Sequence, residues 1–414
     1  MFYSSQAVDN SKDIPVISPI IGVQGFAFIG SNILDIIALS MALFVGGLWL
    51  LHLIAYFYGS YHLHKSSEYD KLAPGVSIIK PLVGTDKNLK QNLESFFTLD
   101  YPKFEILLCL SSKDDLASTV VQELCYKYSN VDSSIFFDGE NVGLNPKINN
   151  MMPGYKSAKY SLVLVSDAGI YMKSNALMDM VSCMKENVGL VTQIPYTKAR
   201  ETFTNKYETQ FFGCAHARIY LVGNCLQFIC ASGMSSLMRK DVLDNCGGLQ
   251  AFADVLAEDY FFGQALANSG YKACISHIPA LQNAESVSLS TFNSRLCRWV
   301  KLRVAGLPQT LFLEPMQECF ASGVVGMIAY WYLFALNPIY FIIFHLAWWF
   351  FWDYQLIRVI ENGPIPFSFL EFSFMWLLRE TLAFPLYLRA LINPTIAWKT
   401  GNYRLDWGGK IRKQ

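Results

Sequence analysis

Two short stretches carry residue types and spacings that could do chemistry. One is an acidic pair, Glu258-Asp259, and the other places Arg295, Arg298 and Trp299 at R-x-x-R-W spacing. A carboxylate can take a proton from an attacking hydroxyl group. Arginines can hold the phosphates of a departing nucleotide through paired hydrogen bonds. A base, a clamp for the leaving group and an aromatic wall are the parts that a sugar transferase needs.

The composition indicates membrane segments. Of the 414 residues, 52% are apolar and 16% are charged, whereas soluble proteins average about 25% charged residues. The apolar excess is concentrated toward the two ends. The net charge is zero, so no general attraction to nucleic acid is expected. The ten cysteines form no C-x-x-C pair, which argues against a zinc ribbon or a disulfide scaffold and favours a reducing, cytosolic setting.

The first strong apolar run covers residues 36–58, and we interpret it as a transmembrane helix. It has no formal charge and exceeds the roughly 20 residues that a bilayer requires. Acidic residues precede it, and histidines and lysines follow it between His62 and Lys71. Because basic residues stay cytosolic, we expect residues 1–35 to form a lumenal head and the next domain to be cytosolic. The alternative, a buried core helix, is disfavoured by the length and the flanks.

Residues 59–313 have the pattern of an α/β domain. Apolar runs predict strands at 76–81, 104–110, 134–137, 161–167 and 189–192. Helices are predicted at 88–99, 116–128, 200–220, 240–245 and 258–266, and a strand leading into a turn is predicted at 228–234. Alternating strands and helices indicate a mostly parallel sheet, which binds ligands beyond the carboxyl ends of its strands. Lys80, Asp115 and Asp167 lie at such ends.

The C-terminal part predicts a membrane region at 314–392, made of apolar segments at 319–336, 339–352 and 367–391. The charged pair Arg379-Glu380 lies in the third segment and would be costly in hydrocarbon, so we expect that segment to be interfacial or re-entrant. Residues 295–313 mix basic and apolar side chains, as a helix in the membrane interface does. A basic tail follows at 393–414, and we expect it to be cytosolic.

Asp115, Asp167, Asp259 and the R-x-x-R-W resemble the D, D, D, (Q/R)xxRW pattern of inverting, membrane-bound glycosyltransferases with the GT-A fold. Local stretches are similar to the ceramide glucosyltransferase (glucosylceramide synthase) family: GVSIIKPL at 75–82, NPKINN at 145–150, PGY at 153–155, GMS at 233–235, MRKDVL at 238–243 and AEDYF at 257–261. The arginine at 295 fits this family rather than the cellulose, chitin and hyaluronan synthases. The resemblance runs from about residue 34 to residue 404.

This resemblance implies a Rossmann-like GT-A domain at the cytosolic face of the Golgi membrane. It implies transfer of glucose from UDP-glucose to the primary hydroxyl of ceramide, with inversion. Asp259 would be the base, and Asp115 would hold the uridine or ribose. Asp167 would reach the diphosphate through Mg²⁺ or Mn²⁺, because such ions prefer oxygen ligands. Asp167 stands in D-A-G where the family has D-S-G, which keeps the carboxylate and the glycine.

The other site residues follow from the same resemblance. Arg295 and Arg298 would stabilise the departing diphosphate, and Trp299 would wall the acceptor site. Two lysines, Lys80 and Lys147, are candidates for contacts to phosphate or uracil, and a surface lysine is nearly as good an interpretation of the second. A histidine of the family aligns with His216. We place it near the site without a chemical step, because a histidine among aromatic residues is more often structural.

Other functions stay open at this point. The first is transfer to another lipid, such as a polyprenyl phosphate or a sterol, or from another sugar nucleotide. A processive polysaccharide synthase would need a longer set of spans to form a polymer channel. An inactive membrane scaffold is opposed by the intact carboxylates and arginines.

Overall fold

The computed structural model describes residues 32–198, 202–285, 288–398 and 401–413. Residues 1–31 of the expected lumenal head and residues 399–400 and 414 of the expected tail lie outside these ranges. The described chain begins with one long apolar helix, α1 (Ile33–His62), which contains the predicted span. Within the described ranges, α1 alone is both long and apolar enough to cross a membrane, judged by length and composition.

The next domain contains ten strands: β1 (Val76–Leu82), β2 (Phe104–Leu110), β3 (Ser133–Phe136), β4 (Leu162–Ser166), β5 (Ile170–Tyr171), β6 (Val188–Thr192), β7 (Pro195–Thr197), β8 (Ser235–Arg239), β9 (Lys272–Ile275) and β10 (Ala280–Gln282). Seven of them form the central sheet in the order β3-β2-β1-β4-β8-β6-β9. Only β8 runs antiparallel to its neighbours, β4 and β6. The predicted α/β fold with a mostly parallel sheet is therefore confirmed.

The same domain contains the helices α2 (Leu89–Phe97), α3 (Ala117–Lys127), α4 (Pro146–Ser157), α5 (Ala176–Cys183), α6 (Phe203–Phe211), α7 (Ala217–Cys225), α8 (Lys240–Asn245), α9 (Glu258–Asn268) and α10 (Leu289–Gly306). Among them, α2 and α4 pack on opposite faces of the sheet. Ile78 packs in the same core cluster as Phe96 of α2, whereas the next residue, Ile79, packs in the cluster of Met151 on α4. Because both faces are covered, β1 is buried along nearly its whole length, including its two polar residues, Ser77 and Lys80.

Two local predictions need correction. The strand expected at 228–230 is wrong, because residues 228–234 form a loop and turn and the strand begins only at Ser235. The helix expected at 200–220 begins at Phe203, after a capping box between Thr202 and Asn205. It is also interrupted by a π-helical turn at Phe212–His216 before α7 continues to Cys225. Such turns are frequent at functional sites.

The C-terminal part contains α11 (Thr310–Met316), α12 (Cys319–Phe334), α13 (Pro338–Glu361) and α14 (Phe369–Ile392), followed by β11 (Thr395–Trp398), β12 (Gly401–Leu405) and β13 (Ile411–Lys413). Helix α13 packs on α1, where Trp49 Nε1 donates to His345 Nδ1 at 3.1 Å. The last three strands form a small antiparallel sheet that the sequence did not predict. Its residues Tyr403 and Ile411 pack against Leu256, two residues before Glu258.

Candidate active site

A cavity of about 810 Å³ opens beyond the carboxyl ends of the parallel strands, where the sheet topology predicts a ligand site. It is lined by side chains from several different loops, among them Ser111, Asp138, Lys147, Asp167 and Arg298. Three of these, Lys147, Asp167 and Arg298, are among the residues singled out from the sequence. Lys147 and Arg298, which are 151 positions apart in the sequence (298 − 147), thus meet in the wall of one cavity.

Lys147 is the centre of the charged side of this cavity. Its Nζ lies 2.8 Å from Asp167 Oδ1 and 3.0 Å from Glu258 Oε1. It also donates to the carbonyl of Gly233 at 3.3 Å. Although burial lowers its pKa, the carboxylates of Asp167 and Glu258 outweigh burial and raise the pKa of Lys147 above the ordinary value. The ammonium group is therefore a permanent cation at the cavity wall.

Asp259 lies in the first turn of α9. It shares a partner with Lys147, because the side chains of both residues bond to the backbone of Gly233. Its Oδ2 accepts from the backbone N–H of Gly233 at 2.6 Å, and its Oδ1 accepts from its neighbour Tyr260 at 2.9 Å. Burial and the adjacent charge of Glu258 raise the pKa of Asp259 to about 6, against the lowering effect of Lys147. A carboxylate with a pKa near neutrality can accept a proton at physiological pH and release it again.

The structure reveals how the acidic pair is held, which sequence reasoning missed. Asn145 caps α4 by accepting from the N–H groups of Lys147 and Ile148. The same side chain donates to the carbonyl of Val255 at 2.6 Å and to Glu258 Oε2 at 3.2 Å. One asparagine thus fixes both the lysine and the acidic pair. The sequence analysis did single out the NPKINN stretch at 145–150 for its similarity to the family, but it assigned no role to Asn145.

Asp115 and Lys80 support loops of the cavity. The carboxylate of Asp115 accepts from the N–H of Gly84 at 2.9 Å, from Ser111 Oγ at 2.5 Å and from the N–H of Ala117 at 2.9 Å. Lys80 is buried, and its Nζ donates to the carbonyl of Asp167 at 2.6 Å. Burial lowers the pKa of Lys80 to about 7, although the Asp167 carboxylate opposes this. In this geometry Lys80 holds the backbone that presents Asp167 to the cavity.

The two arginines of the R-x-x-R-W have different surroundings on α10. Arg298 lines the cavity, and burial lowers its pKa against the opposing charges of Asp167 and Glu258. Arg295 donates to Gln282 Oε1 at 3.0 Å and lies 3.9 Å from Glu208 Oε1. Its guanidinium also lies over the ring of Trp299, 5.3 Å from the centroid. The structure therefore brings Arg298, rather than Arg295, to the cavity wall.

His216 and Trp299 belong to an aromatic wall beside the acidic pair. The His216 ring stacks on Tyr220 with centroids 4.8 Å apart and lies 6.1 Å from the Trp299 ring. Burial, helped by Arg303, lowers the pKa of His216 to about 3, so the ring is neutral. The Tyr220 hydroxyl donates to the carbonyl of Ala231 at 2.9 Å, two residues before Gly233. This chain of contacts connects the wall to the loop that holds Asp259.

A second group of potential metal ligands lies elsewhere, at the end of α1. Asp179, Cys183 and His277 place their ligand atoms within 4.8 Å of one another. The Asp179 carboxylate, however, already accepts from Ser67 Oγ, from His277 Nδ1 and from the N–H groups of His277 and Ile278. Four hydrogen bonds occupy both oxygens, and none of these residues lines the described cavity walls. The group therefore braces the fold and is separate from the candidate active site.

Comparison with known proteins identifies the family of this chain. Residues 47–411 match the model described as glycosyl transferase family 21. Ceramide glucosyltransferase 3 from Caenorhabditis elegans is 51% identical over 382 residues, which cover 92% of this chain and 83% of that protein. Ceramide glucosyltransferase 1 from the same organism is 47% identical over 380 residues, covering 91% and 82%. A ceramide glucosyltransferase from Komagataella phaffii is 26% identical, covering 87% and 91%.

Solved structures are more distant. Mannosyltransferase PcManGT from Pyrobaculum calidifontis, in complex with GDP-Man and Mn²⁺, aligns with a TM-score of 0.45 at 15% identity, covering 86% of this chain and 94% of that one. TarS 1–349 from S. aureus, in complex with UDP-GlcNAc, aligns with a TM-score of 0.37 at 12% identity, covering 82% and 99%. At these scores the assignment rests on the sequence comparisons, which confirm the expected transferase. The chain belongs to glycosyl transferase family 21.

Proposed function

We propose that the chain transfers glucose from UDP-glucose to the primary hydroxyl of ceramide, giving β-glucosylceramide and UDP. The observation that carries this is Asp259, a carboxylate with a pKa of about 6, held by a backbone N–H next to a cavity with a fixed cation and an arginine. The two relatives that are about half identical to the chain carry the name ceramide glucosyltransferase.

The described residues have distinct roles in this reaction. Asp259 takes the proton of the acceptor hydroxyl as its oxygen attacks the anomeric carbon, and a single base of this kind suffices for an inverting transfer. Arg298 and Lys147 face the cavity from two sides and stabilise the charge of the departing UDP. The loop braced by Asp115 forms the part of the wall assigned to the uridine or ribose. Trp299 and His216 exclude water on the acceptor side.

A divalent ion fits the site through Asp167. Its side chain is 42% exposed at the cavity, and only its Oδ1 bonds to Lys147. Among the described residues, no hydrogen bond or ion pair involves the other carboxylate oxygen, and carboxylate oxygens are the ligands that Mg²⁺ and Mn²⁺ prefer. When bound, the ion would neutralise charge on the diphosphate. If so, chelation should weaken UDP-glucose binding measured by calorimetry, and Mg²⁺ or Mn²⁺ should restore it, whereas Asp167→Ala should bind equally with and without the ion.

The family and the apolar α1 support membrane association, and we propose a multi-pass Golgi enzyme whose active site faces the cytosol. UDP-glucose is a charged, cytosolic donor, whereas ceramide dissolves in the bilayer, so the site must meet both. In sealed Golgi vesicles with the cytosolic side outward, added protease should abolish activity without detergent and should remove a C-terminal tag. Activity that survives protease would place the site in the lumen.

The test of the reaction uses purified protein, UDP-glucose and a panel of lipids that contains ceramide, a sterol and a polyprenyl phosphate. We expect a glucosylated product from ceramide alone, identified by mass spectrometry, with one UDP released per product. Product from a different lipid would mean that ceramide is not the acceptor, while the protein would still be a glucosyltransferase. Absence of product from every lipid, with UDP-glucose still bound, would contradict the proposal.

A further inference from the structure

A second cavity, of about 280 Å³, lies between α1 and α7 and has no role in the site described so far. Apolar side chains form most of its wall, among them Leu48, Leu51, Val222, Leu226, Phe228 and Trp349. These come from the apolar helix α1, from α7, from the loop after α7 and from α13. A cavity with such walls favours a hydrocarbon ligand.

Three polar residues line this cavity, His52, Arg218 and Gln317, and the first two are bonded within the protein. His52 Nδ1 lies 2.8 Å from the carbonyl of Leu48. Arg218 donates to Asp353 Oδ1 at 2.7 Å, and its guanidinium lies 4.9 Å from the centre of the Trp349 ring. Because His52 and Arg218 have partners within the protein, they do not require a polar ligand, and apart from Gln317 the cavity presents mainly hydrocarbon.

The loop that follows α7 connects this cavity to the catalytic base. Cys230 lines the cavity, and Gly233, three residues later, donates its N–H to Asp259 Oδ2. Three residues of extended chain span at most about 10 Å. Between them, the carbonyl of Ala231 accepts from Tyr220, so the loop is fixed to α7. The Cys230 part of the cavity wall therefore lies within about 10 Å of the backbone that contacts Asp259.

The mouth of the cavity is apolar and exposed. Ile219, Leu226 and Phe228 are 42%, 46% and 66% exposed, and Leu50 on α1 is 55% exposed. Neighbouring exposed apolar side chains of this kind mark a surface that contacts lipid or another ligand. Leu48 and Leu51 of the cavity wall belong to α1, the helix that is long and apolar enough to cross a membrane, so the cavity adjoins the segment that lipid would surround.

We propose that this cavity holds a hydrocarbon chain of the lipid acceptor and so directs its hydroxyl group toward Asp259. The inference rests on the proposed function, because it assumes a lipid acceptor, and it adds the place where the acceptor is selected. The cavity contacts the chain, whereas the 810 Å³ cavity contacts the sugar nucleotide. Chain length should therefore affect acceptor binding alone.

The test places tryptophan at the mouth and varies the acceptor. We expect Ile219→Trp and Leu226→Trp to raise the KM for a long-chain ceramide about tenfold, since losing the burial of a few methylene groups is sufficient. The KM for a short-chain ceramide and the Kd of UDP-glucose should stay unchanged. Leu43→Trp, on an exposed position of α1 outside both the cavity wall and its mouth, is the matched control. An equal change for long and short chains, or none, would overturn the proposal.

A second measurement needs no variant. A ceramide with a photoreactive diazirine in its acyl chain, bound to the unmodified protein, should label peptides that contain residues 48–52 and 218–230. Labelling confined to other segments would overturn the cavity assignment even if glucose transfer occurs. Conversely, a protein that glucosylates no lipid but is labelled here would refute the proposed function and keep the lipid site.

Discussion

Two clusters of charged side chains lie in different parts of the molecule, and they differ in how far they are exposed. In the catalytic domain, Lys147 pairs with Asp167, whose side chain is 42% exposed to the cavity. Between the C-terminal helices, Asp353 is fully buried and accepts from Arg218 at 2.7 Å and from Arg379 at 3.0 Å. An open cluster can exchange partners with a charged ligand, whereas an enclosed one can only hold its own elements together.

The enclosed cluster also bears on where α14 lies. From the sequence, Arg379 and Glu380 appeared costly in hydrocarbon, and this was the reason to expect an interfacial or re-entrant segment. In the structure, both are buried: Arg379 bonds to Asp353 and to Glu380, and Glu380 Oε2 accepts from the N–H of Cys319 at 2.9 Å. Since Asp353 and Glu380 compensate the charge of Arg379 inside the protein, exposure of this charge to lipid no longer decides the position of α14, although the Nε and Nη1 of Arg379 have no hydrogen-bond partner within the described part of the chain.

The largest expected effect comes from breaking the enclosed cluster. Asp353→Ala leaves Arg218 and Arg379 without their shared carboxylate, and removing one partner of a buried pair costs about 3–5 kcal/mol. We expect a marked fall in the unfolding temperature of the detergent-solubilised protein. Arg358→Ala, on an exposed position of the same helix, is the control. An unchanged unfolding temperature in Asp353→Ala would mean that the cluster does not stabilise the C-terminal helices.

Removing the base beside the open cluster should affect the reaction and spare the fold. Asp259→Asn removes the base but keeps the size of the side chain, so turnover should fall at least about 10²-fold. UDP-glucose affinity should stay within a few-fold and the unfolding temperature should not fall. Asp241→Asn, an exposed carboxylate on α8, should be neutral. Near-normal turnover in a folded Asp259→Asn protein would remove Asp259 from the mechanism.

A smaller effect should distinguish the two arginines. Arg298→Lys keeps the charge but loses the planar pair of donors, and one hydrogen bond to a charged group contributes about 1.5–3 kcal/mol, or roughly tenfold or more in rate. Arg295→Lys should reduce kcat/KM less, because Arg295 bonds to Gln282 rather than facing the cavity. Steady-state kinetics at saturating ceramide measures both. Equal losses would indicate that the two arginines bind the diphosphate together.

The smallest expected effect is a shift along the pH axis. Burial and Glu258 raise the pKa of Asp259 to about 6, and the base must be ionised, so kcat/KM should fall as the pH drops through about 6. Glu258→Gln removes the like charge and should move this acidic limb to lower pH. Because the folded-state pKa is raised, ionised Asp259 destabilises the fold above pH 6, and protonation relieves this below it. If the acidic limb of the kcat/KM profile does not move in Glu258→Gln, this limb does not report the ionisation of Asp259.

The sequence predicted elements better than it predicted their assembly. The bounds of β2 and α8 were correct to the residue, because each apolar or capped run ends at a clear break. The strands β11 to β13 were missed, since the short, polar stretch around Gly401 and Asn402 has no strand periodicity. The loop at 228–230 was mistaken for a strand, because Phe228-Ile229-Cys230 is apolar for another reason: Phe228 and Cys230 line the second cavity. The turn expected after it is present at Gly233, whose N–H bonds to Asp259.

Within the site, the sequence identified residue types but not partners. Lys147 was nearly as well explained as a surface lysine, because nothing local reveals its ion pair with Glu258, 111 positions later (258 − 147). Arg295 and Arg298 were given the same role, since only about one helical turn separates them. Tertiary contacts alone distinguish them, because Arg295 bonds to Gln282. Such long-range contacts depend on the packing of α4, α9 and α10 around the sheet, which spacing alone does not determine.

The central claim is that Asp259 acts as the single base of an inverting transfer to a lipid hydroxyl. The most direct measurement follows the reaction of ceramide with UDP-glucose carrying ¹³C at the anomeric carbon by NMR. Because the donor is α-linked, the account predicts that the first product detected is the β-glucoside, and that Asp259→Asn forms almost none while still binding the donor. A first product with the α configuration, or β product at the normal rate from Asp259→Asn, would contradict it.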